Sequence, residues 1–200
     1  MVNPLHQTPP PTPRIAFRRL QLSDESLMNL LNHDKDVMKY LNRFPPEEGE
    51  VRDEVARILS SYVRWPCFGR WIALCRASGQ FLGWFALAVS GSNPLTLELG
   101  YRLRCQFWGT GLATEGSKTL LRYAFEQEDV VVERVFGQTM FVNYQSRRVM
   151  EKCGMGLERT FHLHFDDPLP GTELGEVEYG ISRETWEHQH KVHILDTSRS

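Results

Sequence analysis

Residues Leu95-Thr-Leu-Glu-Leu-Gly-Tyr-Arg-Leu-Arg-Cys-Gln-Phe-Trp-Gly-Thr-Gly-Leu-Ala-Thr-Glu115 change character halfway along. Leu95, Leu97, Leu99, Tyr101 and Leu103 alternate with Glu98, Arg102 and Arg104, the period of two that a strand shows when its faces meet different surroundings. The alternation gives way to Gln106-x-x-Gly109-x-Gly111-x-Ala113. From about Thr110 to Glu128, Leu112, Gly116, Leu120 and Ala124 fall four apart, with Leu121 and Phe125 widening an apolar stripe. The stretch therefore predicts a strand, a glycine-bearing turn and a helix. Such a turn lets backbone approach a phosphate and presents the N–H groups of a helix N-terminus to it. The same glycines also suit an ordinary tight connection.

Working outward, Glu133 to Met140 reads as a further strand, and the intervening helix is long enough for a parallel, right-handed crossover. A helix follows over Asn143 to Lys152, stopped by Gly154. Two strands, Leu157 to Phe165 and Glu176 to Ser182, flank the turn-rich Asp166-to-Gly171 segment. Upstream lie a strand at 15–20, a helix capped at Ser23, a short turn near Asp36 to Tyr40, and a longer helix from about Pro46 to Val63. A hairpin of Arg70 to Cys75 and Phe81 to Val89 turns at Ala77 to Gln80. Residues 1–13, with five prolines, read as an extended or disordered arm, 14–186 as a single domain, and 187–200 as a tail.

With 200 residues, 41% hydrophobic and 24% charged, the chain has material for one core. A formal charge of −2 argues against nucleic-acid binding through bulk positive charge. Cys67, Cys75, Cys105 and Cys153 are scattered without Cys-x-x-Cys spacing, which suits reduced thiols in the cytoplasm. Neither a signal core nor a run of membrane-spanning length is found, so no membrane partner is expected.

The turn resembles the acyl-CoA pyrophosphate loop of the GNAT superfamily of N-acetyltransferases, and with Trp108 and Glu115 it looks most like the RimJ/RimL branch, which acetylates N-terminal amines of ribosomal proteins. A second segment, Asn143-Tyr-Gln-Ser146-Arg-Arg-Val-Met-Glu151-Lys-Cys-Gly154-Met, resembles that branch's Asn-x-x-Ser-x-x-x-x-Glu-Lys-x-Gly-Phe signature. The resemblance covers most of residues 15–183. It implies an α/β (α+β) fold, with a central mixed, mostly antiparallel twisted sheet flanked by helices around a β-α-β acetyl-CoA-binding core. The cofactor residues it implies are Tyr101, Arg102, Leu103, Gln106, Phe107, Trp108, Gly109, Thr110, Gly111, Leu112, Ala113, Asn143 and Ser146. Backbone N–H groups around Tyr101 to Leu103 are the expected donors to the thioester oxygen. Arg102, Arg104, Lys118, Arg147 and Arg148 either meet phosphates or are simply solvated, and Trp108 either shields the cofactor or packs under the helix.

Acetyl transfer to an amine needs a deprotonated nucleophile, a donor for the carbonyl oxygen and a proton for the departing thiolate. Glu98 is the leading candidate base, with a salt-bridged strand residue as the alternative reading. Ser146 is the candidate acid, with a helix-start cap as its alternative. The tyrosine that many family members carry seven residues after the Asn is replaced by Met150, and no glutamate stands near Phe165 to match the RimL-like base. His162 and His164 are candidates for the acceptor pocket but too few for a metal site, so no metal is expected. The implied reaction is direct attack by a primary amine of a protein N-terminus or small molecule on acetyl-CoA in a ternary complex, with homodimerisation possible. A non-catalytic acyl-CoA sensor is the alternative. A nucleotide-binding loop is disfavoured because Gln106 to Gly111 lacks the Gly-Lys-Ser/Thr ending.

Overall fold

A computed structural model describes residues 7–42, 44–47 and 49–197, with side chains up to residue 190. Seven strands form one sheet: β1 (Ile15–Arg19), β2 (Gly69–Cys75), β3 (Phe81–Ser90), β4 (Asn93–Leu103), β5 (Arg134–Met140), β6 (Gly156–Phe161) and β7 (Glu176–Ser182), in the order β1-β2-β3-β4-β5-β7-β6. Every pairing is antiparallel except β4 with β5. The expected mixed, mostly antiparallel sheet is thus observed.

The alternation read in β4 separates two cores. Leu97, Leu99 and Leu103 join Phe85, Leu120 and Ala124 in the larger core, beneath α4 (Leu112–Phe125). α4 lies so close to β3 that a Cβ at Gly116 would fall 2.3 Å from the Phe85 ring. Trp84, Ala86 and Ile72 face the opposite side with Met28 and Leu31 of α1 (Glu25–Asn32) and Val51 and Val55 of α3 (Glu50–Arg64). Between these helices lies α2 (Lys35–Met38), capped by Asp34, whose carboxylate accepts the Asp36 and Val37 N–H groups. Among the described residues, no helix is long and apolar enough to cross a membrane.

Several boundaries differ from the sequence reading. Ser23 caps nothing; a 3-10 turn at Leu22–Asp24 carries the capping box, with Asp24 accepting the Gln21 N–H. Asp24 is turned inward by a two-pronged ion pair with Arg18, which holds its pKa below the usual value despite burial. α3 starts at Glu50 rather than Pro46, after a left-handed Gly49. Of the expected arm, residues 1–6 lie outside the described residues. Residues 7–13 form no helix or strand but are tied down, with the Gln7 carbonyl accepting from Arg19 Nε and Trp71 Nε1, and with Thr12 buried. The final helix α6 (Arg183–Thr197) runs through the expected boundary at 186, and Trp186 packs its ring on Phe125 and His190.

Candidate active site

β4 and β5 run in parallel but stay in register only at Thr96 with Arg134, Leu97 with Val135 and Glu98 with Phe136. Beyond Glu98 the two strands diverge, although β4 continues to Leu103 and β5 to Met140. Each keeps its other neighbour, β3 and β7 respectively. The divergence therefore leaves two strand edges facing a gap, with backbone N–H and C=O groups that the ladder does not use. Met150, on α5 (Tyr144–Lys152), is buried at the narrow end, with its sulfur 3.0 Å from where a Gly137 Cβ would be.

At the wide end, the chain leaves β4 through a 3-10 turn at Cys105–Phe107 that the sequence reading did not anticipate. Trp108 is exposed, with its Nε1 donating to the Leu103 carbonyl at 2.8 Å, which fixes the ring beside the loop. Gly109 and Gly111 have φ of +72° and +85°, a left-handed region costly to other residues. Nothing lies within 4 Å of a Cβ built on Gly109. Gly111 is the N-cap of α4 and offers no side chain to the first-turn amides, and the N–H groups of Leu112, Ala113 and Thr114 have no hydrogen-bond acceptor among the described residues. Gln106 and Thr110 are exposed beside them, Phe107 and Ala113 are half-buried, and the Leu112 side chain is buried in the core. Donors without protein acceptors, small residues and a helix N-terminus fit a diphosphate.

The loop is braced from a direction the sequence did not reveal. Glu115 accepts from Thr12 Oγ1 at 2.5 Å and from Arg14 Nε at 2.6 Å, while Arg14 also donates to the Thr110 carbonyl at 2.9 Å. These bonds hold the Glu115 carboxyl below its usual pKa against the opposing effect of burial.

On the other side of the gap, Asn143 caps α5 by accepting the Ser146 N–H and is itself oriented by donating to Thr139 Oγ1 at 2.9 Å. Ser146 meets a partner that the sequence reading used only for its backbone: the Tyr101 hydroxyl donates to Ser146 Oγ at 3.3 Å. Burial pushes the Tyr101 hydroxyl up to about 12, keeping it a donor.

Glu98 occupies the apex of the divergence. Alternation places it on the face opposite Tyr101, and the β4–β5–β7 register puts Gln138, Met140, Glu178 and Glu176 on that same face. Its pKa is raised, by burial first and then by the negative charge of Glu178. Glu178 is held down to about 2 by hydrogen bonds from Arg159, Gln138 and Arg134, which outweigh its burial.

On this face, a cleft of about 310 Å³ opens between Tyr40, Leu41, Asn42 and Phe44 and the strand ends Met140 and Glu176, closed by Phe165, Asp167, Leu169 and Thr172. It is built from the early helical region and the late connection. Glu176, whose pKa burial raises, is a carboxylate in this cleft that the sequence reading passed over. His162 and His164 are less directly placed. β6 ends at Phe161, so they do not alternate on a strand, and they are exposed, with His164 3.9 Å from Asp166.

Other basic candidates separate from the loop. Arg102 lies on the Glu98 face, where its side chain meets Asn32 Oδ1 and the Trp84 ring, on the other side of the sheet from α4. Arg147 is engaged by the Phe141 carbonyl and Tyr179 hydroxyl, and Arg148 by Glu151. Among the described residues, one group could gather around a metal, Asp34, Asp36 and Cys105, with ligand atoms within 4.8 Å. Asp34 is already the α2 cap, and burial with two nearby carboxylates pushes the Cys105 thiol up to about 11.

Comparison with known proteins agrees with this geometry. The Acetyltransferase (GNAT) domain family matches residues 14–156. FsC-acetyl coenzyme A-N(2)-transacetylase of Aspergillus fumigatus is 38% identical over 164 residues, which make up 78% of this chain and 68% of that protein. The structure of RimL, a ribosomal alpha-N-protein acetyltransferase, in complex with coenzyme A has a TM-score of 0.72 at 16% identity, covering 88% of this chain and 97% of RimL. Spermidine N-acetyltransferase from Vibrio cholerae, in complex with CoA and spermine, gives 0.71 at 16% identity over 88% of this chain and 99% of that one. This chain belongs to the GNAT acetyltransferase family and is an acetyl-CoA-dependent acetyltransferase.

Proposed function

We propose that the protein transfers the acetyl group of acetyl-CoA to a primary amine of a small molecule, by direct attack in a ternary complex. The observation that carries this reading is the cleft beside the β4–β5 gap, bounded by Tyr40, Phe44, Phe165 and Glu176. Its volume of about 310 Å³ suits a small ligand. A relative named for acetylating an N(2) nitrogen supports an amine acceptor. The second motif, with Ser146 in place, supports kinship with the RimJ/RimL branch, but the missing glutamate near Phe165 argues for a different base.

The gap lets groups on both faces of the sheet act on one bond. Glu98, with its raised pKa and position on the cleft face, takes the proton from the amine. Ser146, on the other face, gives a proton to the departing thiolate, with the Tyr101 hydroxyl 3.3 Å away to hydrogen-bond its oxygen. The loop amides at Gly109–Ala113 and Asn143 hold the cofactor, and free N–H groups of β4 around Tyr101 to Leu103 polarise the carbonyl. Acetyl-CoA supplies the activated acyl group. The four free cysteines support a reducing, cytoplasmic setting.

The test is a panel of small amines and peptides assayed by release of CoA thiol. Turnover of small amines above peptides is the expected result. Selective acetylation of peptide N-termini would overturn the acceptor assignment.

A further inference from the structure

A second cleft, of about 250 Å³, lies on the Glu98 face between the early helices and the end of β4. Asn42 lines both clefts, so they meet at that residue. Their charged linings differ. The first presents only carboxylates, Asp167 and Glu176, whereas the second is lined by Arg57 and Arg102 together with Glu50 and Glu54, with Arg70 behind them.

The arginines here are under-compensated. Arg70 and Arg102 both lie over the Trp84 ring, with guanidinium carbons 4.0 and 5.3 Å from its centroid. Arg70 is paired with Glu54 at 2.8 Å. Among the described residues, the hydrogen-bond partner of Arg102 is the neutral amide oxygen of Asn32; Glu54, already paired with Arg70, acts on it only through its charge. The Nε atoms of both arginines are buried and without a hydrogen-bond partner among the described residues. Arg57, exposed at the rim, has no carboxylate partner among those residues either, and Glu50 spends one oxygen on the Glu47 N–H. Buried charge is retained only where something pairs with it. Burial and the neighbouring Arg70 push the Arg102 pKa down to about 10 against the opposing charge of Glu54, which Arg70 already engages.

We propose that this second cleft is an acceptor subsite that takes a carboxylate, or an equally compact oxyanion, of the substrate, with Arg102 as the residue that reads it. The inference rests on the small-molecule reading of the acceptor and narrows it to an amine that also carries a negative group. Glu98 and Arg102 are four residues apart on one strand, a separation of about 13 Å between their backbones. The amine and the anionic group therefore stand several bonds apart, as in a long ω-amino acid rather than an α-amino acid.

Calorimetric titration of the CoA-saturated protein with glutarate and with its dimethyl ester tests the subsite without requiring turnover. Glutarate is expected to bind and the ester not to. R102Q is expected to weaken glutarate at least tenfold more than it weakens CoA. R57Q, at an exposed position, is expected to weaken glutarate severalfold. In turnover, ω-aminoalkanoates are expected to exceed their methyl esters about tenfold in kcat/KM, a preference that R102Q collapses. Glutarate binding that is absent, matched by the ester or insensitive to both substitutions overturns the proposal, as does equal binding of inorganic phosphate with no acid preference in turnover. If glutarate binds through Arg102 but only peptides are acetylated, the subsite stands and the small-molecule reading fails.

Discussion

The hydroxyl of Tyr101 on β4 donates to Ser146 Oγ on the first turn of α5, 3.3 Å away, and so spans the gap between the diverging strands. With its pKa pushed up to about 12, the Tyr101 hydroxyl stays protonated and can hydrogen-bond the Ser146 oxygen while the serine proton is used. Ser146→Ala is expected to lower kcat on the order of 10²-fold with little change in the KM for acetyl-CoA. Tyr101→Phe should cost about tenfold or less, the effect of one neutral hydrogen bond. The double variant should be no slower than Ser146→Ala. Steady-state kinetics on the three variants checks this, and additive losses would separate the two hydroxyls.

Glu98→Gln is expected to reduce kcat/KM by roughly 10²-fold or more and to remove the ascending limb of its pH profile. The carboxylate is the active form, so activity in the wild type rises through a midpoint above 4.5, the ordinary glutamate value. A raised acid also disfavours the folded state once pH exceeds its unfolded value. The same substitution should therefore raise Tm slightly at neutral pH while it slows the reaction. Wild-type rates at every pH would remove Glu98 from the mechanism.

Glu178 behaves in the opposite sense. Its folded pKa of about 2 lies below 4.5, the ordinary glutamate value, so its contribution is complete above the unfolded pKa and lost as pH falls towards 2. Glu178→Gln should cost about 2 kcal/mol at pH near 7 and little near pH 2, measured by denaturant unfolding. Removing this charge should also move the ascending limb of the rate profile to lower pH, because Glu178 helps to raise Glu98.

Gly111→Val and Gly109→Val should each abolish the rise in Tm that acetyl-CoA produces in the wild type. The cause is torsional as well as steric: φ of +85° and +72° are strained for a β-branched residue by about 1–3 kcal/mol. Differential scanning fluorimetry with and without the cofactor is the measurement. An unchanged shift in both variants would move the phosphate site away from this loop.

The sequence made the strand, turn and helix of 95–125 legible because period two, glycines and period four follow one another in a single stretch. The motif residues Gly109, Gly111 and Asn143 carry their roles in backbone geometry that local sequence dictates. What stayed hidden depends on partners far along the chain. Glu115 looked like part of a motif, but it ties down Thr12 and Arg14, about a hundred residues earlier. Arg102 was open between a phosphate ligand and a solvated strand residue, whereas strand alternation turns its side chain towards Asn32. Ser23 was the better cap by residue type, yet Asp24 was drawn into that corner by Arg18. Glu176 carried no signal at all, because its cleft is assembled from segments more than a hundred residues apart.

Exposed strand edges ordinarily recruit other chains, and proteins blunt them with charges, bulges or covering helices. In this fold a pair of raw edges, 99–103 of β4 and 137–140 of β5, lies in the middle of the sheet rather than at its margin. A second protein molecule would have to insert a strand into a wedge that narrows to direct pairing at Glu98 and Phe136. A slender, single-file ligand can enter where a folded neighbour cannot. The parting of β4 and β5 thus acts as a size filter, allowing the protein to keep unsatisfied backbone ready for use without seeding fibres of itself.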